Sequence, residues 1–133
     1  MSAMLSQLLI HPRLRAACRV GATVMYLMIV VTGNIPGARA DIGNYAPGVV
    51  LHSSAYAVLA FLWFLGSRGS PAARAVKAVL AVALMGAGDE FIQSFFPYRG
   101  ADIHDWAVDC GSAIAASLLL CAVLPKAVFA PKR

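Results

Sequence analysis

Long apolar runs separated by short polar breaks dominate this chain. The runs cover about residues 18–35, 49–66, 72–96 and 103–124. A helix of roughly 20 mostly apolar residues crosses the hydrocarbon core of a bilayer, so each run is long enough for one crossing. No run shows the strict alternation expected of a membrane-spanning β-strand. The pattern predicts an all-α protein, one domain over residues 1–133, folded as an integral membrane bundle of four transmembrane helices.

The breaks between the runs contain residues that end helices. Glycine and proline interrupt helical structure, and their positions set the predicted helix ends. Asp102 or Asp105 stands where the N-cap of the fourth helix is expected. The breaking residues are Gly33, Pro36 and Gly37 after the first run, Gly66, Gly69 and Pro71 after the second, Pro97 after the third and Pro125 after the fourth.

Composition supports the membrane assignment. The chain is 60% hydrophobic and only 13% charged, whereas soluble domains carry about 25% charged residues. So few charges cannot cover the water-facing surface of a soluble fold, and lipid must cover the rest. The net charge of +5 does not indicate nucleic acid, because the basic residues mark the ends of apolar runs instead of forming one face with stacking aromatics.

The basic residues are concentrated at one end of each predicted helix. With the N-terminus inside the cell, the inner side carries nine of the eleven basic residues and none of the six acidic ones. Cytoplasmic loops are enriched in Lys and Arg, so this asymmetry predicts that both termini lie in the cytoplasm. The inner residues are Arg13, Arg15, Arg19, Arg68, Arg74, Lys77, Lys126, Lys132 and Arg133.

The N-terminal segment also has an alternative interpretation. A basic region, an apolar run and then Ala38-Arg39-Ala40 before Asp41 are similar to a cleavable signal peptide with an A-x-A site. Cleavage there would leave three transmembrane helices and an outside N-terminus. The long basic region and the arginine within the site favour an uncleaved helix.

Acidic residues and an arginine gather around the third break. Glu90 and Gln93 share one helix face, Asp105 and Asp109 share another, and Arg99 lies in the short loop between the two helices. A carboxylate at membrane depth is costly and normally faces the bundle interior or a water-filled cavity, where it is paired. One guanidinium cannot neutralise all of these carboxylates, so either some stay protonated or a cationic group shares the site. The sequence predicts a polar pocket in the outer half of the membrane.

Further side chains are expected to join this pocket. His52 and Tyr56 lie one turn apart at the outer end of the second helix, and His104 stands beside Asp105. Asp89 is expected to face the headgroups, and Trp106 to lie at the membrane interface. The alternative is that these polar groups only hold neighbouring helices together.

The residues around the third break resemble the signature of VanZ-like membrane proteins. The matching run is Glu90-x2-Gln93, then Phe95 or Phe96, Pro97, Arg99 and Asp105, and His52 with Tyr56 also fits the family pattern. The resemblance extends from about Val24 to Leu124. This chain departs from the pattern by having Asp109 where the family usually has Asn, Gly111 one place early, and Gly48-Val49 where an Asp-Lys pair often precedes the histidine.

The resemblance implies a cellular location and an association with the cell envelope. A VanZ-like protein is expected in the bacterial inner membrane as a multi-pass cell-envelope protein. Some family members are associated with low-level resistance to the glycopeptide antibiotic teicoplanin, and the family has no settled biochemical activity.

Four hypotheses about function follow. In the first, a non-enzymatic envelope protein binds a lipid headgroup, a lipid-linked cell-wall precursor or a glycopeptide, with carboxylates holding cationic groups and Arg99 holding phosphate. In the second, an enzyme acts on a lipid-linked phosphate, with Arg99 as clamp and His52 or His104 as base or nucleophile. The third is a divalent-cation site built from Glu90, Asp105, Asp109 and a histidine. The fourth is a small transporter or assembly subunit, which would require a homo-oligomer. We expect no cofactor, no metal and no nucleic-acid partner.

Overall fold

The chain folds into helices throughout the part that the structure describes. The structure is a computed structural model and describes residues 11–124, without the side chains of residues 39, 40 and 42. The all-α prediction is confirmed. The helices are α1 (Pro12–Gly33), α2 (Ala38–Gly43), α3 (Gly48–Gly66), α4 (Pro71–Gln93) and α5 (Ile103–Val123); α2, a single short turn of helix, was not predicted.

Two helix ends differ from the predicted bounds. Helix α1 begins at Pro12, six residues before the apolar run, because proline is well suited to the first helical position and the His11 side chain accepts a hydrogen bond from the Arg13 backbone N–H. Helix α4 ends at Gln93 and not at Phe96. Apolar content marks the membrane-facing part of a helix, while local capping decides where the helix begins and ends.

Three of the described helices are long and apolar enough to cross a membrane: α1, α3 and α5. Helix α4 spans 23 residues but does not meet the same standard of apolarity, because its sequence contains Arg74, Lys77, Asp89 and Glu90. The chain is therefore a membrane protein with at least three helices of spanning character in the described residues.

Helix α3 is central to the bundle. It packs against α1, α4 and α5, and α4 and α5 also pack against each other. Gly66 permits the close approach of α1 to α3, since a Cβ added there would lie 2.7 Å from Arg19 Cγ. The fully buried side chains of Tyr56, Leu59 and Phe64 give α3 most of the large core residues.

The outer surface of the bundle is apolar. Leu84 on α4 is 75% exposed, and Val31 on α1 and Leu119 on α5 are 63% and 64% exposed. Apolar surface this extensive is unusual on a soluble monomer. Lipid is the environment that matches it.

Arg74 has a structural position that its sequence did not reveal. It was expected only as one of the basic residues that mark the inner side, but it is 2% exposed. Its Nε donates a hydrogen bond to the Gly69 carbonyl at 3.0 Å, and its Nη1 lies 3.4 Å from the Leu65 carbonyl. The guanidinium therefore binds backbone carbonyls at the C-terminal end of α3 and in the turn that follows it.

Candidate functional site

A cleft of about 220 Å³ lies between α1 and α3 at the end of the bundle that carries the 94–102 loop. Most of its wall is apolar or small. The polar side chains that reach it come from three helices and the loop. The cleft is lined by Ile29, Thr32, Gly33, Gly48, Leu51, His52, Ala55, Tyr56, Asp89 and Arg99.

His52 is held between two carboxylates of α5. Its Nδ1 lies 3.0 Å from Asp109 Oδ1, and its Nε2 lies 3.6 Å from Asp105 Oδ2. Asp109 is fully buried, and its Oδ2 has no hydrogen-bond partner among the described residues. The one-turn spacing of the two aspartates on α5 places one of them at each ring nitrogen of the histidine.

Tyr56 lies one turn below His52 on α3 and connects it to α4. The two rings are parallel, with centroids 5.9 Å apart and an interplanar angle of 2°. The Tyr56 hydroxyl donates a hydrogen bond to Asp89 Oδ2 at 3.2 Å. The predicted pair of His52 and Tyr56 thus lies in the same cleft and contacts carboxylates of both α4 and α5.

Asp89 is the cleft residue that the sequence analysis placed elsewhere. It was expected to face the headgroups, but it is only 2% exposed and lines the cleft. The family signature contains the neighbouring Glu90 and does not contain Asp89. The available signal was the spacing to Gly86 and Gln93, which are also buried and place Asp89 on an inward-facing side of the helix.

Arg99 reaches the cleft from the loop between α4 and α5. Its backbone N–H donates to the Phe96 carbonyl at 2.9 Å, which forms the turn. The Tyr98 hydroxyl donates to the Asn34 carbonyl at 2.8 Å and so fastens the loop to the end of α1. The guanidinium lies beside the end of α1, since a Cβ added at Gly33 would be in ordinary contact with an Arg99 terminal nitrogen at 3.9 Å.

Glu90 lies on a different side of α4 from the cleft. Its Oε2 accepts a hydrogen bond from the Asp102 backbone N–H at 2.6 Å. Asp102 is the N-cap of α5, as expected, and its side chain accepts from the His104 backbone N–H. With Trp106, these acidic residues line a separate shallow groove between α4 and α5. Glu90 therefore supports the start of α5 and does not line the cleft.

The remaining predicted residues have contrasting positions. Gln93 is 1% exposed, and its Oε1 has no hydrogen-bond partner among residues 11–124. His104 has an exposed side chain and does not line the cleft. The two histidines considered as chemical groups are thus separated, and only His52 belongs to the cleft.

Helices α4 and α5 approach closely beneath these groups. A Cβ added to Gly86 would lie 2.9 Å from Asp109 Oδ2 and 3.2 Å from Trp106 Cδ1. Trp106, expected at the membrane interface, instead lies partly buried and donates its indole N–H to the Ala83 carbonyl at 3.0 Å. The polar faces of the two helices therefore point toward each other.

The cleft combines mostly apolar walls with a few polar side chains, among them one guanidinium and one buried carboxylate. Among residues 11–124, no group of three or more His, Cys, Asp or Glu side chains has an arrangement that would hold a metal ion. Arg99 contributes a guanidinium with five N–H donors, and His52 and Tyr56 of α3 also line the cleft. Apolar walls with a few convergent polar groups are typical of small-ligand sites.

No curated protein and no solved structure matches the chain. The family model described as VanZ/LLP1 matches residues 17–124, which include α1 from its second turn, the cleft and all of α5. The chain therefore belongs to the VanZ/LLP1 family.

Proposed function

We propose that the protein crosses the bacterial inner membrane four times, with both termini in the cytoplasm, and that α4 is the third crossing. At 1.5 Å per residue its 23 residues extend about 35 Å, enough for the hydrocarbon core. Its charged residues Arg74, Asp89 and Glu90 are buried in the bundle, whereas Leu80 and Leu84 are 58% and 75% exposed. Three of the four charged residues of α4 therefore lie inside the bundle. The fourth, Lys77, is exposed near the N-terminal end of the helix, where a long lysine side chain can reach the membrane interface.

Cysteine labelling from outside the cell tests this topology. In a background without native cysteines, an impermeant maleimide is expected to modify Gly43→Cys and Gly100→Cys and to leave Arg68→Cys unmodified. All three positions are exposed, and neither glycine has an atom within 4 Å of an added Cβ. Labelling of Arg68→Cys in intact cells would refute the N-in, four-crossing arrangement.

For the cleft, we propose that it binds the phosphate-bearing headgroup of a membrane lipid or of a lipid-linked cell-wall precursor. The observation behind this proposal is the presence of the Arg99 guanidinium in a cleft whose walls are mostly apolar or small. A guanidinium binds phosphate through two parallel charge-assisted hydrogen bonds. The apolar residues Ile29 and Leu51 provide the surface along which the attached chain would leave.

Binding is better supported than turnover. A histidine that acts as a base or nucleophile needs one ring nitrogen directed at the reacting group. Both nitrogens of His52 lie against carboxylates, at 3.0 Å from Asp109 and 3.6 Å from Asp105. His104, the other candidate base, has an exposed side chain outside the cleft.

The association of some VanZ-like proteins with glycopeptide resistance suggests a physiological role for such binding. A protein that retains a lipid-linked precursor or changes headgroup exposure at the outer face would alter access of glycopeptides to their target. We therefore expect expression in a susceptible bacterium to raise tolerance to teicoplanin, and Arg99→Gln to abolish the effect at equal membrane abundance. Equal tolerance in the two strains would count against a role of the cleft in resistance.

Lipid retention provides the direct test of headgroup binding. The purified protein in mild detergent is examined by native mass spectrometry for bound anionic lipid, with Arg99→Gln compared with Arg68→Gln. Arg68 is exposed at the opposite end of α3 and serves as the matched control. Loss of a charge-assisted hydrogen bond is worth about 1.5–3 kcal/mol, so Arg99→Gln is expected to weaken binding about tenfold or more. Equal lipid retention by both variants would overturn the proposal.

A further inference from the structure

We infer that the cleft recognises a headgroup carrying both a phosphate ester and a primary ammonium, with Asp89 as the ammonium-binding residue. This inference rests on the proposed phosphate binding at Arg99 and names the ligand more closely. Asp89 and Arg99 line the same cleft, so one cleft presents a carboxylate and a guanidinium to one ligand.

The hydrogen bonding of Asp89 carries the argument. Its side chain is 98% buried, and Oδ2 accepts a hydrogen bond from the Tyr56 hydroxyl at 3.2 Å. Oδ1 has no hydrogen-bond partner among the described residues. An ionised carboxylate accepts several hydrogen bonds, and leaving a buried polar atom unpaired costs about 1–3 kcal/mol. A donor supplied by a ligand would remove this cost.

The neighbouring groups indicate a cationic donor. The other carboxylates near the cleft, Asp105 and Asp109, already lie against the two nitrogens of His52. Asp89 Oδ2 contacts the Tyr56 hydroxyl, which is a neutral donor, and a cationic N–H donor at Oδ1 would form a stronger, charge-assisted hydrogen bond than a neutral one. A primary ammonium supplies both the charge and the N–H donors, whereas a quaternary ammonium supplies only the charge.

The apolar wall favours a lipid as the source of this headgroup. Ile29 and Leu51 line the cleft. Next to cleft residues in the sequence, Val31 on α1 and Val50 on α3 are 63% and 51% exposed on the apolar surface of the bundle. A ligand with acyl chains would gain free energy from burying them against this apolar wall. A soluble phosphoethanolamine would gain nothing from this surface.

Lipid selectivity of the wild-type protein tests the inference without any substitution. Dioleoyl lipids with ethanolamine, N-methylethanolamine, N,N-dimethylethanolamine, choline and glycerol headgroups are titrated against the protein by native mass spectrometry. Binding is expected to weaken as N–H donors are lost, with ethanolamine at least about tenfold tighter than choline or glycerol. Equal binding across the series would overturn the inference.

Substitution of Asp89 assigns the preference to this residue. Asp89→Asn is expected to bind ethanolamine and glycerol headgroups equally while still binding both through Arg99. Asp41→Asn, which alters an exposed acidic residue, is the matched control and is expected to keep the preference. If Asp89→Asn does not fold, the methylation series on the wild-type protein decides alone. An ethanolamine preference retained in folded Asp89→Asn would refute the role of Asp89.

The two proposals fail in different ways. If no phospholipid binding depends on Arg99, the proposed function is wrong. If binding depends on Arg99 but shows no preference for the primary amine, only the inference about Asp89 is wrong. Competition by free phosphoethanolamine distinguishes the sources: weak competition assigns the headgroup to a lipid, and competition at equal concentration assigns the same chemistry to a soluble ester.

Discussion

Replacing Gly86 by alanine tests the close contact between α4 and α5 that supports the site. The new Cβ would lie 2.9 Å from Asp109 Oδ2, 3.2 Å from Trp106 Cδ1 and 3.4 Å from Asp109 Cβ. Real Cβ atoms essentially never have a contact shorter than 3.0 Å, so the contact with Asp109 Oδ2 requires a shift of Asp109 or of the helix backbone. Asp109 has little freedom to shift, because it is fully buried and its Oδ1 contacts His52 at 3.0 Å.

The expected magnitude combines opposing terms. Alanine in a helix is favoured over glycine by about 1 kcal/mol. Overpacking a well-packed interior costs about 1–3 kcal/mol, and weakening the hydrogen bond between His52 and Asp109 adds a further cost of about 1.5 kcal/mol or more. The Gly86→Ala variant is therefore expected to be less stable than wild type by about 2 kcal/mol.

Gly111→Ala is the matched control for this experiment. Gly111 lies on α5, is exposed, and has no atom within 4 Å of an added Cβ. Its substitution should leave stability unchanged or raise it by up to about 1 kcal/mol. Unfolding in mixed micelles, followed by circular dichroism, measures both variants. If the two variants have equal stability, the described contact between α4 and α5 is wrong.

Three further substitutions test individual contacts by the same unfolding measurement. Arg74→Gln removes the charged donor from the C-terminal end of α3 and should destabilise by about 2 kcal/mol, whereas exposed Arg68→Gln should change stability by less than about 0.5 kcal/mol; equal effects would refute the capping role. Trp106→Phe removes the indole hydrogen bond to the Ala83 carbonyl and should cost about 1 kcal/mol, and an unchanged midpoint would show that this bond contributes nothing. Asp102→Ala should lower the free energy of unfolding by about 1 kcal/mol, because the N-cap of α5 is lost, whereas Asp102→Asn keeps a capping side chain and should be close to wild type. Equal losses of stability in the two variants would indicate that the charge of Asp102, and not its capping hydrogen bond, stabilises the helix.

The pattern of apolar and polar residues was sufficient to predict the four long helices, but not the short helix α2. Each run is long enough to cross a bilayer, and a bilayer leaves few alternatives, because every backbone polar group must be paired within the segment. The starts of two helices were also predictable from the sequence, since Pro71 begins α4 and Asp102 caps α5. The neighbouring positions of Glu90 and Asp105 followed from the short loop that connects their helices.

Which polar side chains share a cavity was decided only by the tertiary structure. Successive residues of a helix point about 100° apart, so Asp89 and Glu90 lie in different environments although they are adjacent. Asp89 lines the cleft with Arg99, while Glu90 holds the Asp102 backbone N–H. His104 and Asp105 differ in the same way: the aspartate contacts the site histidine and His104 is exposed.

The physical reason is that sequence periodicity states which residues share a face, but not where that face points. The rotation of each helix about its axis depends on how all the helices pack together. Close approach at Gly66 and Gly86 sets that packing, because a Cβ at either position would meet the neighbouring helix. Only with those rotations in place does His52 lie between Asp105 and Asp109. The sequence by itself thus determined the long helices and which polar residues were available for a site. The packing of the bundle determined which of those polar residues form the site.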